Sequence, residues 1–526
     1  MTTNVGALAL LVGAIVAGTA SCAGHTSAVT SAKSATSPTI APATKAEPTV
    51  RFLLVNDVYV ANPLRDDSGG LSRVAALRDS IEHATGSRVI YVLGGDVLSP
   101  SLLGKWYGGR QMIDAFNASR LDFAVLGNHE FDGSRANLVA RVAESKFTWM
   151  SGNCTEKGGQ SFPGVRGWDT LTVNGIRIGI FGSTIVRDYP AYVQCANADS
   201  ATHAMVDTLS KASAQLIVGL THRNMADDLH TLSTEPNVQV ILGGHDHNGK
   251  RGEVDGRLVI KALSNSRSAA LVTFTRRNSQ WERRDTSFTI GPAMRQDGPT
   301  EAVVTVWNDS LRRRIGPDRV IGASPDVIDA TDSTQHKGES VFGDFVADGL
   351  RIGTKADVGM INSGAMRFDD FIAPGPITSH MIESVFLFAD ETRAVSFNMT
   401  GARLREELEH GVAKSSLGQG AFLQLSGVNY TYDTGRPDGQ RIVGALRRDN
   451  GRVIGDAEML RVTMVTYPAC RSGDGYKFPE AAAVCKALEA DPTRAPRTVD
   501  LVIQHIEGSG GQIALPKVGR VLRVSR

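Results

Sequence analysis

Five short clusters of oxygen- and nitrogen-bearing side chains stand in order along the first half of the chain. They are Asn56-Asp57-Val58-Tyr59, Gly95-Asp96, Gly127-Asn128-His129-Glu130, Thr221-His222 and Gly243-Gly244-His245-Asp246-His247. Asp, Asn and His together form a mixed oxygen and nitrogen donor set, which suits Mn, Zn, Fe or Mg and serves soft metals poorly. Each cluster alone is a weak signal. Gly-Asp and Thr-His pairs arise often by chance, and a lone histidine at a strand end is usually a polar surface residue. Gly-Asn-His-Glu and Gly-Gly-His-Asp-His are more specific, and the ordered recurrence of all five points to a divalent-metal centre.

The segments that precede the clusters say how they are brought together. Phe52-Leu53-Leu54-Val55, Val89-Ile90-Tyr91-Val92-Leu93, Phe123-Ala124-Val125-Leu126, Leu216-Ile217-Val218-Gly219-Leu220 and Val238-Gln239-Val240-Ile241-Leu242 are near-continuous apolar runs. Such runs read as parallel strands buried on both faces. The carboxyl ends of strands in an open α/β sheet face one crevice, so the clusters are expected to converge there. Residues 71–83, 111–119 and 135–144 carry helical spacing, as in Leu71, Val74, Leu77 and Ile81. Asn174-Gly175 between two apolar runs is a hairpin signal. Segments 251–262 and 268–289 read as closing strands. This first domain is expected over 50–291, with a linker and connecting helix over 292–315. A second α/β unit is expected over 316–522, with helices at 341–352 and 401–411 and strands at 394–397 and 460–466.

At 526 residues the chain exceeds one core, and a net charge of +1 with no basic stripe gives no sign of a nucleic-acid polymer partner. Residues 7–18 are apolar and uncharged, too short to span a bilayer comfortably, and read as the core of a signal peptide within residues 1–22. No Lys or Arg precedes Lys33, so either the true start lies upstream or the N-terminal amine serves as the positive charge. Thr19-Ala20-Ser21-Cys22 resembles a bacterial lipobox, which would place a lipid anchor on Cys22; the alternative is ordinary cleavage near Ala20. Residues 23–49 are rich in Ala, Ser, Thr and Pro and are expected to be a disordered tether. These features place the protein outside the cytoplasm, in the periplasm or at the cell surface. Setting Cys22 aside leaves Cys154 and Cys195 in one half and Cys470 and Cys485 in the other. Two local disulfides fit that division, with four free buried thiols as the alternative.

With the clusters in place, the chain resembles the calcineurin-like metallophosphoesterases, and more closely the two-domain bacterial 5′-nucleotidase and UDP-sugar hydrolase family. The resemblance spans residues 50–522. Gly127-Asn128-His129-Glu130-Phe131-Asp132 matches that family's most specific block. Ile361-Asn362-Ser363-Gly364-Ala365-Met366-Arg367 resembles its Asn-Gly-Gly-Gly-Ile-Arg block, and Ser472-Gly473-Asp474-Gly475-Tyr476 resembles its Gly-Gly-Asp-Gly-Tyr block. The resemblance implies an α/β fold: a four-layer calcineurin-like domain followed by a separate α/β 5′-nucleotidase C-terminal domain. It implies two divalent metal ions of the Mn, Zn, Co or Mg class, bridged by Asp96. One would be held by Asp57, Asp96 and His247, the other by Asp96, Asn128, His222 and His245. Paired dications about 3.5–4 Å apart activate water for in-line attack on phosphorus. By the same resemblance His129 stabilises charge on the leaving-group side and Asp132 orients its imidazole. Asn362 and Gly364 would line the ribose and phosphate pocket, Arg367 would contact phosphate, and Asp474 would bind ribose hydroxyls. Phe388 would stack on the base, an interaction worth about 1–3 kcal/mol; core packing is its alternative. Glu130 and Asp246 are left with supporting roles.

Three positions depart from the family pattern. Tyr59 stands where most members have His, and a phenol is a poor ligand unless a strong Lewis acid such as ferric iron deprotonates it. Tyr59 is therefore expected to pack beside the first ion, with water completing the shell. Pro468, next to Tyr467, stands where a second stacking aromatic is usual, and Gly338 replaces an Arg before Glu339. The expected activity is an exported phosphohydrolase acting on nucleoside monophosphates or related esters, with no obligate protein partner evident. The alternatives are a cyclic-nucleotide phosphodiesterase or nucleotide-sugar pyrophosphatase on the same site, and a non-catalytic nucleotide-binding surface protein.

Overall fold

The computed structural model describes residues 47–64, 66–388, 392–413 and 420–524. The signal segment, Cys22 and the tether up to residue 46 lie outside the described residues. All five apolar runs form strands: Thr49–Val55, Val89–Leu93, Phe123–Val125, Leu216–His222 and Val238–Gly243. The first opens at Thr49, paired with Thr275, so the last expected tether residue is already in the sheet.

The five strands are divided between two sheets, as the expected four-layer fold requires, rather than lining the crevice of one open sheet. The first three are neighbours, mutually parallel, in a seven-stranded sheet; the other two lie in a six-stranded sheet. The division begins at the expected hairpin, where Asn174 and Gly175 take φ values of 51° and 76°. That turn folds Trp168–Val173 onto Ile176–Thr184, and the latter pairs in parallel with Leu216–His222 to build the second sheet. Side chains alternate across a strand. Phe52, Leu54, Ile90 and Val92 therefore meet Val218, Leu220, Val240 and Leu242 between the sheets. Leu53, Val55, Tyr91 and Leu93 face the other way, onto Val74, Met112, Ile113 and Phe116 of the helices Leu71–Thr85 and Arg110–Ala118. Helices Ala198–Lys211 and Met225–Thr234 cover the second sheet through Met205, Val206, Leu209 and Leu232. The result is helix, sheet, sheet, helix. With both faces of each sheet covered, the strands need no polar positions.

Two segments differ from expectation for local reasons. Segment 251–262 breaks at Asp255-Gly256 and segment 268–289 at Asn278-Ser279, all four residues having positive φ, so each is a hairpin. The connecting helix, expected within 292–315, is Gly298–Ile315 and begins there because Asp297 caps it: its Oδ2 accepts the Thr300 N–H at 3.0 Å. The second domain centres on a four-stranded sheet in the order Ala394–Thr400, Met459–Val465, Val358–Asn362, Leu423–Ser426. Disulfides join Cys154 to Cys195 and Cys470 to Cys485. Among the described residues no helix is long and apolar enough to cross a membrane.

Candidate active site

The loops that end the five strands meet where the two sheets run side by side. Three of the six expected ligands, Asp57, Asp96 and His245, have left-handed backbones with φ of 52°, 59° and 76°. Such conformations cost about 1–3 kcal/mol at non-glycine residues and persist only where the surroundings enforce them. Here the surroundings are explicit. The Asp57 N–H donates to Gly95 O at 2.9 Å and its carbonyl accepts from Asn265 at 2.9 Å. Buried Asn56 pairs its amide with both backbone groups of Ala262 and donates to Asp57 Oδ2 at 2.7 Å. Glu130 accepts four backbone N–H groups, from Asp96, Val97, Leu98 and Gly127, at 3.0, 2.7, 3.2 and 2.5 Å. Burial and the nearby Asp96 raise its pKa to about 7, against the pull of those donors. Glu130 thus clasps the loops that present Asp96 and Asn128. Asp246 accepts from the Met225 N–H at 2.9 Å and pairs with Lys261 at 2.8 Å, anchoring the last loop in the same way.

Ligand atoms of Asp57, Asp96 and His222 lie within 4.8 Å of one another. Asn128 Oδ1 is buried and makes no hydrogen bond, and buried Asp57 Oδ1 and His222 Nε2 have only ion-pair contacts, to His247 and Asp96. A buried polar atom without a hydrogen bond costs about 1–3 kcal/mol, a cost that a cation among these donors would remove. His222 Nδ1 sits 2.7 Å from Gly94 O, which turns Nε2 toward Asp96 Oδ2 at 3.1 Å. Burial opposes protonation of His222, yet Asp96 raises its pKa to about 9; burial and then His222 lower that of His245 to about 4. Gly127 has no room to be anything else, because a Cβ there would collide with Asp96 Oδ1. Hard and borderline donors, the orphaned oxygen of Asn128 and carboxylates that draw protons onto neighbouring imidazoles fit a divalent ion.

His247 Nε2 stands 3.4 Å from Asp57 Oδ1, and its Nδ1 is 3.1 Å from Asp369 Oδ2 of the second domain. Tyr59 packs against this cluster, its ring 5.7 Å from that of His247. Its hydroxyl lies 3.2 Å from Asp96 Oδ2 and 3.1 Å from His247 Nε2, inside the ligand set. Burial, then Asp96 and Asp57, raise its pKa well above the usual value, so the phenol is neutral among these groups. The His129 N–H donates to Asp96 Oδ1 at 2.8 Å, and its Nδ1 is 2.7 Å from Asp132 Oδ2. Burial disfavours the imidazolium, but Asp132 and Asp96 outweigh it and raise the pKa.

The second domain reaches this centre. The half-buried Phe388 ring is 6.5 Å from the His129 ring, and Arg367 Cζ is 6.0 Å from Phe388. Arg367 is held by Asp332 at 3.0 Å, and Asn362 donates to Asp474 Oδ2 at 2.8 Å. Gly364 lies against Gly420: a Cβ would stand 3.1 Å from Gly420 Cα. Pro468 is buried, whereas Tyr467 is 42 % exposed beside Gly473. Sequence reasoning did not find Asp369 or Asp332, and gave Asn56 no role of its own. Asn56 adjoins a recognised ligand. Asp369 follows a recognised block, but nothing in the pattern ties it to a histidine 122 positions away.

Two stacked sheets whose strand ends gather these donors define a metallophosphoesterase, and the protein is a phosphoester hydrolase. Residues 50–249 match the family model for calcineurin-like phosphoesterase, and residues 320–481 match that for the 5′-nucleotidase C-terminal domain. The chain belongs to the 5′-nucleotidase family that joins these two domains. It is 22% identical over 421 residues to a snake venom 5′-nucleotidase from Naja atra, covering 72% of this chain and 79% of that one. The structure is similar to a 5′-nucleotidase precursor from Thermus thermophilus, with TM-score 0.76, 21% identity and coverage of 91% and 100%. It is also similar to a sulfate thiohydrolase from the same organism, with TM-score 0.71, 15% identity and coverage of 91% and 97%.

Proposed function

We propose that this protein is an exported, two-metal 5′-nucleotidase that releases phosphate from nucleoside monophosphates or related esters. The observation that carries the proposal is the meeting of two half-sites. Buried metal donors from the first domain face Arg367 and Phe388 of the second, with His129 at the seam. Asp57, Asp96 and His247 would hold one ion; Asp96, Asn128, His222 and His245 would hold the other. When bound, such ions supply Lewis acidity toward the phosphoryl group and lower the pKa of water. Asp132 holds the His129 proton at Nδ1, leaving Nε2 for the leaving-group oxygen. Arg367 supplies charge for the phosphate, Asn362 and Asp474 bind ribose hydroxyls, and Phe388 with exposed Tyr467 receives the base. Two disulfides support an oxidising compartment, in keeping with export and a lipid anchor at Cys22.

The test is phosphate release from 5′-AMP, a nucleotide sugar and an aryl phosphate, with chelator and with Mn, Zn, Co or Mg restored. Chelation should abolish release, a transition metal should restore it, and Asp96→Asn should bind fewer than two ions. Full activity in excess chelator would overturn the two-metal reading. Equal rates on 5′-AMP and the aryl phosphate would reduce the enzyme to a general phosphoesterase.

A further inference from the structure

All six expected metal ligands come from the first domain, yet the second domain places a carboxylate against one of them. Asp369 Oδ2 lies 3.1 Å from His247 Nδ1. Asp369 is itself fixed. Its Oδ1 accepts the Asp332 N–H at 3.0 Å, and its backbone is left-handed with φ of 44°. Asp332 Oδ2 in turn lies 3.0 Å from the Arg367 guanidinium. Arg367, Asp332, Asp369 and His247 therefore form one chain of contacts from the phosphate-binding candidate to the metal centre.

We infer that Asp369 is a positioning residue: it holds the Nδ1–H of His247, aims the bare Nε2 at the ion shared with Asp57, and so ties that ion's affinity to docking of the second domain. The inference rests on the two-metal reading above. A carboxylate behind a ligating imidazole fixes its tautomer and raises its basicity, an effect worth about 10–100-fold in metal affinity. The effect matters most where nitrogen donors are few. Among its expected ligands this ion has His247 as its one histidine, with the Tyr59 hydroxyl 3.1 Å from that imidazole. The coupling is reciprocal by linkage. A phosphate ester that draws Arg367 toward the centre tightens the ion, and the ion tightens the contact between domains.

The experiment is Mn²⁺ calorimetry on the full chain with Asp369→Ala, Asp369→Asn and Asp369→Glu, and with Asp370→Asn as a control for charge alone. Thermal melting checks folding, and ¹⁵N signals of histidine report the His247 tautomer. Asp369→Ala should weaken one of two binding steps by about 10–100-fold and spare the other. Asp369→Glu should restore most of the loss, Asp370→Asn should cause none, and the fixed Nδ1–H signal should vanish in Asp369→Ala. If the alanine variant does not fold, the near-isosteric Asp369→Asn carries the test, with a smaller loss expected. Unchanged Mn²⁺ affinity in a variant that melts lower makes Asp369 a structural ion pair and overturns the inference. Equal weakening of both steps, matched by Asp370→Asn, shows only a diffuse charge effect and also overturns it. Unmutated protein that binds no Mn²⁺, Zn²⁺ or Co²⁺ refutes the two-metal reading itself, whereas two bound ions indifferent to Asp369 refute this inference alone.

Discussion

The phenol of Tyr59 stands where the family resemblance leads one to expect an imidazole, and its position is informative. Its oxygen sits within hydrogen-bond distance of both Asp96 and His247. Its hydroxyl is placed to donate to the Asp96 carboxylate, and burial with Asp96 and Asp57 favours the neutral phenol. The protein should therefore be colourless, and Tyr59→Phe should keep its metal content. Tyr59→His should tighten the weaker of two Mn²⁺ binding steps, measured by calorimetry. A coloured iron protein that bleaches in Tyr59→Phe would show a phenolate ligand instead. At this scale the gathering of Asp57, Asp96 and His222 was legible from the sequence, because donor type and strand-end position are local properties. Tyr59 was expected beside the first ion's ligands, but its reach to both Asp96 and His247 was not legible. It follows from side-chain direction on a left-handed loop, where the alternation of an extended strand no longer applies.

Among the elements, the helix Val341–Thr354 holds a titration that the fold makes consequential. Asp344 on its first turn is fully buried, 3.4 Å from the Leu425 N–H and 3.7 Å from Arg520 Nε. Burial is the largest influence; Arg520 opposes it and Glu339 adds to it, and the pKa rises to about 8. Glu339, which follows the family departure at Gly338, accepts the Gly519 and Arg520 N–H groups at 2.7 and 2.6 Å. A carboxyl raised on folding stabilises the native state fully below its unfolded pKa of 3.8 and loses that contribution as pH rises through about 8. The melting temperature should fall between pH 5 and pH 9, and Asp344→Asn should flatten that slope. A slope unchanged in the variant would assign it elsewhere. The elements themselves were mostly readable, since apolar runs and helical spacing are strong periodic signals. The second sheet was legible only through the four-layer fold that the family resemblance implies, because the Asn174-Gly175 hairpin was visible while its choice of partner strand was a tertiary matter.

For the molecule as a whole, the question is what holds the two domains together. The connecting helix Gly298–Ile315 belongs mechanically to the first domain. Asn308 and Asn62 exchange amide hydrogen bonds at 2.9 and 2.8 Å, and Trp307 donates to Asp114 at 3.2 Å. Across the boundary, Lys105 lies 3.4 Å from Glu383 Oε2 and donates to Phe386 O at 3.2 Å, and Glu383 also pairs with Arg497. The Lys105 and Glu383 side chains are only 7% and 13% exposed. Truncating one partner of such a pair costs about 2–5 kcal/mol. Lys105→Ala should therefore loosen the domains, seen as a larger radius of gyration in solution scattering and as melting split into two transitions. A single unshifted transition would place the docking energy elsewhere. None of this was legible beforehand, because contacts between distant segments leave no periodicity in either.

Asp57, Asp96 and His245 do two things at once: each offers a lone pair, and each turns the chain to the left. Aspartate, asparagine and histidine are the side chains, after glycine, that tolerate that turn most readily. Ligand and hinge are therefore written with the same letters. An exchange that looks neutral on paper, such as Asp57→Glu, keeps the charge but gives up the short side chain that made the bend tolerable. The grammar of this centre is consequently narrower than its chemistry: many residues could bind a dication, and few could do so while spelling the corner.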